Sequence, residues 1–209
     1  MIYWVLRSMD VYVHIIDDDA AMLRLLKELL ESVRIEVKTY QSAQDFISSI
    51  EQVEQGCILS DIRMPRMSGV ELQQEIHKMG INIPIIFLTG YADVQTAVEA
   101  MQNEAFDFIE KPFNNQNLIN RVQQALKYSE TLFEEQKIKR KNLHKFNNLT
   151  SREKEVFKRI VKGEVNKVIA HKLDISVKTV EVHRSRVITK FQASGLVDLI
   201  EINNILQGH

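Results

Sequence analysis

At 209 residues, 44% hydrophobic and 26% charged, with 7 glycines and 3 prolines, the chain is long enough for two packed domains and is neither fibrous nor low in complexity. No apolar run reaches the roughly 18 residues needed to cross a bilayer, and the single cysteine, Cys57, excludes an internal disulfide framework, so a soluble protein of the reducing cytoplasm, without membrane contact, is expected. Charge is unevenly divided. Through Tyr128, 11 Lys+Arg face 18 Asp+Glu, a net of −7, whereas the remainder carries 16 against 10, a net of +6. An acidic half followed by a basic half points to a nucleic-acid-binding tail governed by a separate module, against the blander reading of ordinary surface variation.

Residues 1–10 read as an N-terminal extension, with Met9 as the expected natural start; their apolar stretch is too short for a secretion signal. From 11 to 127, short apolar runs alternate with amphipathic helical patterns, the rhythm of a parallel βα sheet. The first strand, 11–16, ends in Asp17-Asp18-Asp19, and Met22, Leu25, Leu26, Leu29, Leu30 and Val33 trace the face of the helix after it. A weaker strand covers 37–40, and Ala43, Phe46, Ile47 and Ile50 mark the second helix. The third strand, 57–60, delivers Asp61, and the loop 63–69 leads to a helix carrying Val70, Leu72 and Ile76. The fourth, 85–88, ends at Thr89-Gly90 before a helix through Val94, Ala97, Val98 and Met101. The fifth, 106–109, runs to Lys111-Pro112-Phe113, and the last helix of the unit carries Leu118, Ile119, Val122 and Leu126. Residues 128–148 are charged, with few apolar positions and no Gly or Pro, and read as a helical linker continuing that helix.

In a parallel α/β sheet, ligands bind outside the carboxyl ends of the strands, so residues just after strands converge. That rule gathers Asp17, Asp18, Asp61, Thr89 and Lys111 around one crevice. Clustered carboxylates repel one another, and a hard divalent cation such as Mg²⁺ relieves the repulsion. The same ion, with the Lys111 ammonium and the Thr89 hydroxyl, can neutralise charge on a transferring phosphoryl group, which leaves Asp61 as the nucleophile of an aspartyl phosphate. Taken singly each residue has a duller role: Asp19 suits a helix N-cap, Asp61 a turn, Lys111 a surface charge. Cys57 reads as a small buried hydrophobe.

The acidic run 17–19, Asp61-Ile62-Arg63-Met64-Pro65, Ser68-Gly69, Thr89-Gly90 and Lys111-Pro112-Phe113, each on an expected strand end, resemble the response-regulator receiver domain over nearly all of residues 11–127. The resemblance implies that Asp17, Asp18, Asp61 and the backbone carbonyl of Arg63 hold Mg²⁺ and that the Lys111-Pro112 bond is cis. It also implies that Thr89 and an inward-turning Phe108 form the switch, Phe108 being otherwise an ordinary strand residue. One departure is Glu104, where relatives commonly have a glycine suited to a left-handed helix end.

Beyond Leu149 the pattern is wholly helical. Thr150-Ser151-Arg152-Glu153 is a capping box opening a helix with Val156, Ile160 and Val161, and Gly163 ends it. A second helix spans about 165–173 with Val168, Ile169 and Leu173 inward; after a turn at 174–176, Ser176 caps a third over 177–191, and Leu196, Leu199, Ile200 and Ile205 define a fourth. Two helices joined by a three-residue turn meet the geometric requirement of a helix-turn-helix. On the third helix Val180 and Val187 face inward, while Lys178, Glu181, Arg184 and Ser185 project outward and Arg186 and Lys190 can meet phosphates.

Leu149-Thr150, Arg152-Glu153, Asn166-Lys167, Ile169-Ala170, Ser176, Thr179-Val180 and His183 resemble the LuxR-type helix-turn-helix over residues 149–200. By that resemblance Glu181, Val182 and Ser185 read bases, and Lys167, Thr179, His183 and Lys190 position the backbone, with a packed, hydrogen-bonded His183 as the alternative. Phe191 stands where relatives usually have Leu or Met, and the basic or polar residue often found near Gly195 is missing.

The expected architecture is therefore α/β plus all-α: a flavodoxin-like, doubly wound, five-stranded parallel receiver domain (11–127), a linker (128–148) and a four-helix LuxR-type domain (149–209). The whole resembles a FixJ/NarL-type two-component response regulator. That resemblance implies a sensor histidine kinase as donor, double-stranded promoter DNA as target, RNA polymerase as a further contact and a homodimer on phosphorylation. The competing readings are a phosphatase with an aspartyl nucleophile, which the Arg63 two residues after Asp61 and the DNA-binding tail disfavour, and a regulator whose receiver is purely structural.

Overall fold

The computed structural model describes residues 11–50, 55–90 and 105–208; the expected N-terminal extension, the helix expected through Val94 to Met101, and Glu104 lie outside them. Two compact units divide between Phe133 and Glu134.

In the first unit, β1 (Tyr12–Ile16), β2 (Val37–Tyr40), β3 (Gly56–Asp61), β4 (Ile85–Thr89) and β5 (Asp107–Glu110) form one sheet in the order β2-β1-β3-β4-β5. Every pairing is parallel. The strand order reverses beside β1, so the helices lie on both faces and a crevice opens between the carboxyl ends of β1 and β3. Side chains of a strand alternate between faces, and the two cores obey that alternation. Cys57 and Leu59 of β3, with Ile86 and Leu88 of β4, pack with α1 (Ala20–Glu31) and the first turns of α4 (Asn115–Asn147). Ile58, Ile85 and Phe87 pack the other way, with α2 (Ala43–Ser49) and α3 (Gly69–Lys78).

Local chemistry sets the helix starts. Asp19 caps α1 by accepting from the Ala21 amide at 2.8 Å, Ser42 caps α2, and Ser68 and Glu71 form a reciprocal capping box on α3. On α1 the buried stripe is Leu23, Leu26 and Leu30, whereas Leu25, expected to face inward, is 49% exposed. A spacing of three and four keeps 23, 26 and 30 on one line, and 25 falls well away from it. The helix α4 is continuous across the expected linker. Buried Ser129 accepts a hydrogen bond from the Gly56 amide at 2.9 Å, which fastens α4 to the start of β3.

In the second unit, α5 (Ser151–Ile160), α6 (Asn166–Leu173), α7 (Val177–Phe191) and α8 (Leu196–Gln207) enclose a core of Val156, Phe157, Ile160, Ile169, Leu173, Val180, Val187, Phe191 and Leu199. The capping box of Thr150 and Glu153 is formed, and Ser176 caps α7 through the Thr179 amide. Val168, expected on the core face of α6, is 40% exposed; the inward line is Ile169, Ala170 and Leu173. Phe191 stacks on Phe157 with ring centroids 5.2 Å apart, so the larger ring has a planar partner to pack against. Among the described residues no helix is long and apolar enough to cross a membrane.

His14, buried on β1, donates to or accepts from the Tyr40 hydroxyl at 3.2 Å and packs edge-on against Phe46. Burial, reinforced by Lys38, pushes its pKa down to about 4. The neutral ring is therefore the native form. Since the unfolded chain binds the proton first, stability is full above the unfolded value and is lost as pH falls from 6.5 through 4, by about 3 kcal/mol. NMR titration should find the His14 imidazole protonating near pH 4; a midpoint near that of a free imidazole would remove this source of acid sensitivity.

Candidate functional site

Asp17 follows β1, Asp61 ends β3, Thr89 ends β4 and Lys111 follows β5, so the sheet itself brings them to one rim. The Lys111 Nζ donates to Asp61 Oδ1 at 2.6 Å and to Asp17 Oδ2 at 3.0 Å. One ammonium thus spans two strand ends. The Lys111 amide also donates to the Thr89 carbonyl at 2.7 Å, and the Lys111-Pro112 bond is cis.

The two carboxylates differ. Asp17 is 2% exposed, and burial raises its pKa above the ordinary value despite the Asp19 amide, at 2.9 Å, and Lys111, both of which favour its ionised form. Asp61 has 15% of its side chain exposed, and its second oxygen, Oδ2, accepts from the Arg63 amide at 2.9 Å. Burial works against the charge on Lys111, but hydrogen bonds to Asp61 and Asp17 overcome it and hold its pKa above that of a free lysine. An accessible carboxylate oriented by a fixed ammonium and a backbone amide can act as a nucleophile whose attack places new negative charge beside a cation.

Asp18 is exposed beside this pair and Arg63 follows in the loop. Thr89 is buried at the rim, its hydroxyl donating to the Gly90 carbonyl at 3.1 Å, so it is near the carboxylates in the fold yet not hydrogen-bonded to them. Phe108 is 46% exposed on β5, which flanks the sheet. Among the described residues no group of three or more acidic, histidine or cysteine side chains is gathered as a metal cluster. The donor set still suits Mg²⁺: it is all oxygen, its two converging carboxylates exceed the single Lys111 charge, and Mg²⁺ commonly takes one or two carboxylates and keeps several waters.

The loop after Asp61 is clamped by close backbone approach. The Gly69 amide donates to the Ile62 carbonyl at 2.9 Å, and a Cβ at Gly69 would lie 2.4 Å from the Asp61 carbonyl oxygen and 2.9 Å from the Phe87 ring. Glycine is required there by space.

In the second unit, Lys178, Glu181, Val182, Ser185 and Arg186 are exposed along α7, as is Lys167 on α6. Arg184 is half-buried and braced by the Asn166 side chain at 3.2 Å. The Thr179 hydroxyl shares a hydrogen bond with Ser176 at 2.8 Å. His183 is half-buried, and its Nδ1 is buried without a hydrogen-bond partner among the described residues. Lys190 donates to Glu153 Oε2 at 2.6 Å and to the Asn148 carbonyl at 3.1 Å. Glu153 is 2% exposed, and although burial opposes its charge, Lys190 and the Thr150 amide and hydroxyl bring its pKa below the ordinary value. Sequence reasoning missed two supports here: Asn166 behind Arg184, and the pairing of Lys190 with the capping-box glutamate, whose long spacing in the chain gives no local signal.

A phosphoacceptor-type α/β unit ahead of a helix-turn-helix unit defines a signal-controlled DNA-binding regulator. The family comparisons agree: the response regulator receiver domain matches residues 13–123, and the bacterial regulatory proteins of the luxR family match residues 147–202. The transcriptional regulatory protein TdiR of Thauera aromatica is 39% identical over 188 residues, covering 90% of this chain and 83% of its own. The transcriptional regulatory protein FixJ of Bradyrhizobium diazoefficiens is 36% identical over 191 residues, covering 91% and 93%. The solved structure of the response regulator StyR superposes with a TM-score of 0.78 at 33% identity, covering 93% of this chain and 98% of that one. The chain belongs to the FixJ/NarL-type two-component response regulators. It is a transcription factor rather than an enzyme; its receiver domain implies a histidine kinase partner, its LuxR-type domain implies DNA binding, and receiver domains generally bind Mg²⁺ at the phosphorylation site.

Three substitutions separate architecture from surface. Gly69→Ala should destabilise the receiver by about 1–3 kcal/mol through overpacking and shift the amide resonances of Asp61 to Arg63; unchanged shifts would mean the loop is not clamped there. Lys190→Ala should cost the second unit about 1–3 kcal/mol by leaving the buried Glu153 carboxylate without its cation, whereas Lys178→Ala should stay within about 0.5 kcal/mol. Urea unfolding of both variants makes the comparison.

Proposed function

We propose that Asp61 accepts a phosphoryl group from a histidine kinase and that this drives receiver dimerisation and promoter binding through α7. The observation that supports it is the Lys111 ammonium joining Asp17 and Asp61. In this reading a carboxylate oxygen of Asp61 attacks phosphorus, the bond to the kinase histidine breaks, and the new acyl phosphate places its oxygens beside Lys111. The buried Asp17, the exposed Asp18, Asp61 and the Arg63 carbonyl would hold Mg²⁺, which when bound neutralises phosphoryl oxygens.

Phosphorylation shifts populations only if the phosphoryl group interacts differently with two receiver states. The Thr89 hydroxyl, spent on its neighbour's carbonyl, has a stronger partner available once phosphoryl oxygens arrive. Phe108, a ring with no polar atom to satisfy, can exchange its exposed position for a buried one without a hydrogen-bond penalty. The expected segmentation is a receiver over 11–127, a helical linker over 128–148 and a DNA-binding domain over 149–209. Dimerisation suits a paired half-site; RNA polymerase is a natural further contact for a promoter-bound protein, and the cytoplasm the compartment. On the DNA, Lys167, Lys178, Thr179, His183 and Arg184 position the phosphate backbone, Lys190, expected among them, being engaged by Glu153, and Glu181, Val182 and Ser185 face base edges.

Incubation with a small phosphodonor and Mg²⁺ should add one phosphoryl mass, detected on the intact protein, and raise affinity for duplex DNA. Asp61→Asn should abolish both while leaving the circular dichroism unchanged. An Asp61→Asn protein that is still activated would overturn the assignment, rapid turnover of the donor would favour the phosphatase reading, and a wild type that takes up no phosphate would favour a purely structural receiver.

A further inference from the structure

The helix α7 carries four cations, Lys178, Arg184, Arg186 and Lys190, and one acid, Glu181. Positions 178, 181, 182 and 185 recur at the helical spacing of three and four and so share a stripe, opposite the buried Val180, Val187 and Phe191. All four are exposed, Val182 by 44%. Among the described residues Glu181 makes no hydrogen bond or ion pair, although Lys178 lies one turn away and Arg184 and Ser185 one turn further on. The stripe therefore presents an uncommitted carboxylate with an apolar side chain next to it.

A carboxylate aimed at DNA is repelled by phosphates and by the N7, O6 and O4 acceptors of the base edges. The groups in the major groove that favour it are exocyclic amines, and cytosine N4 is the usual partner of an acidic side chain, whereas glutamine pairs with adenine N6 and N7. An apolar side chain at the adjoining position suits the thymine methyl group.

We infer that Glu181 and Val182 form a two-residue specificity element in which Glu181 accepts a hydrogen bond from a cytosine N4 and Val182 packs against a neighbouring thymine methyl. The inference rests on the reading of α7 as the helix that enters the major groove, and it deepens that reading by naming the base chemistry. Glu181 also excludes: at its position a base edge offering only acceptors meets oxygen with oxygen, so the discrimination comes from repulsion as well as attraction.

The test is selection of a randomised duplex library by the phosphodonor-activated full-length protein, its Glu181→Gln and Glu181→Ala variants, and Val182→Ser. Exposed helix positions tolerate glutamine and alanine, and circular dichroism checks that each variant is folded. The wild type should enrich a half-site with one fixed C·G pair. Glu181→Gln should move that position to A·T by about tenfold or more, and Glu181→Ala should make it indifferent. Replacing the adjoining thymine with deoxyuracil should weaken the wild type about fourfold, the value of one buried carbon group, and leave Val182→Ser unaffected. Enrichment of the same base by wild type and both Glu181 variants would overturn the assignment of Glu181 while the major-groove reading stands, and equal wild-type affinity for thymine and uracil would remove Val182. A wild type that enriches no sequence would overturn the groove reading and the inference with it.

Discussion

The Lys111 ammonium, held between the carboxylates of Asp17 and Asp61, is the interaction on which the receiver's chemistry depends. It joins the ends of β1 and β3 to the segment after β5, three strands that are distant in the chain and parallel in the sheet. Two carboxylates this close would drive each other toward protonation without a cation; with it, the less accessible Asp17 serves as a fixed acidic wall and the more accessible Asp61 faces solvent. A single ammonium leaves the pair with excess negative charge. That excess is the physical reason an all-oxygen rim of this kind favours a divalent cation and, once the cation is present, a phosphoryl group.

Fixing that geometry takes a rigid frame. The frame is the double core: each strand feeds alternate side chains to two helical layers, so a strand end cannot slip without moving its residues from one core to the other. Gly69 completes it on the third-strand side, since its missing Cβ lets the α3 amide reach the backbone beside Asp61. Ser129 does similar work at the far end of β3, where its hydroxyl satisfies the Gly56 amide in a place water does not reach.

Most of this was legible in the sequence because it follows from periodicity and strand-end placement. Five strand patterns give the sheet, polar residues after the first, third, fourth and fifth of them give the rim, and capping residues at 19, 150 and 176 give three of the helix starts. What was not legible depends on the third dimension. Leu25 and Val168 are apolar and lie next to inward residues, so a face drawn from composition alone takes them in, while the packed lines run through Leu23 and Ala170 instead. The Ser129 and Asn166 contacts link residues whose types have many surface uses, and nothing local distinguishes a buried serine on a charged helix from an exposed one. Thr89 is the last residue of β4, and the direction of its hydroxyl is set by rotation about one bond, which no pattern encodes.

The ion pair of Lys190 with Glu153 changes how the basic half of the chain is understood. A net positive charge counts every lysine alike, yet the ammonium of Lys190 is committed to a buried carboxylate and a carbonyl, and that of Lys145 to the Phe191 carbonyl at the end of α7. These cations stabilise the fold where helix carbonyls lack partners. Among the cations of α6 and α7, Lys167, Lys178 and Arg186 have no such partner among the described residues, and Arg184 is held in place by Asn166. Each phosphate that such a cation neutralises releases a counterion and steepens the salt dependence of binding. In the proposed base reading, a lone acid among the cations of α7 selects between base edges by repulsion as well as attraction, without cancelling much of their pull on phosphates.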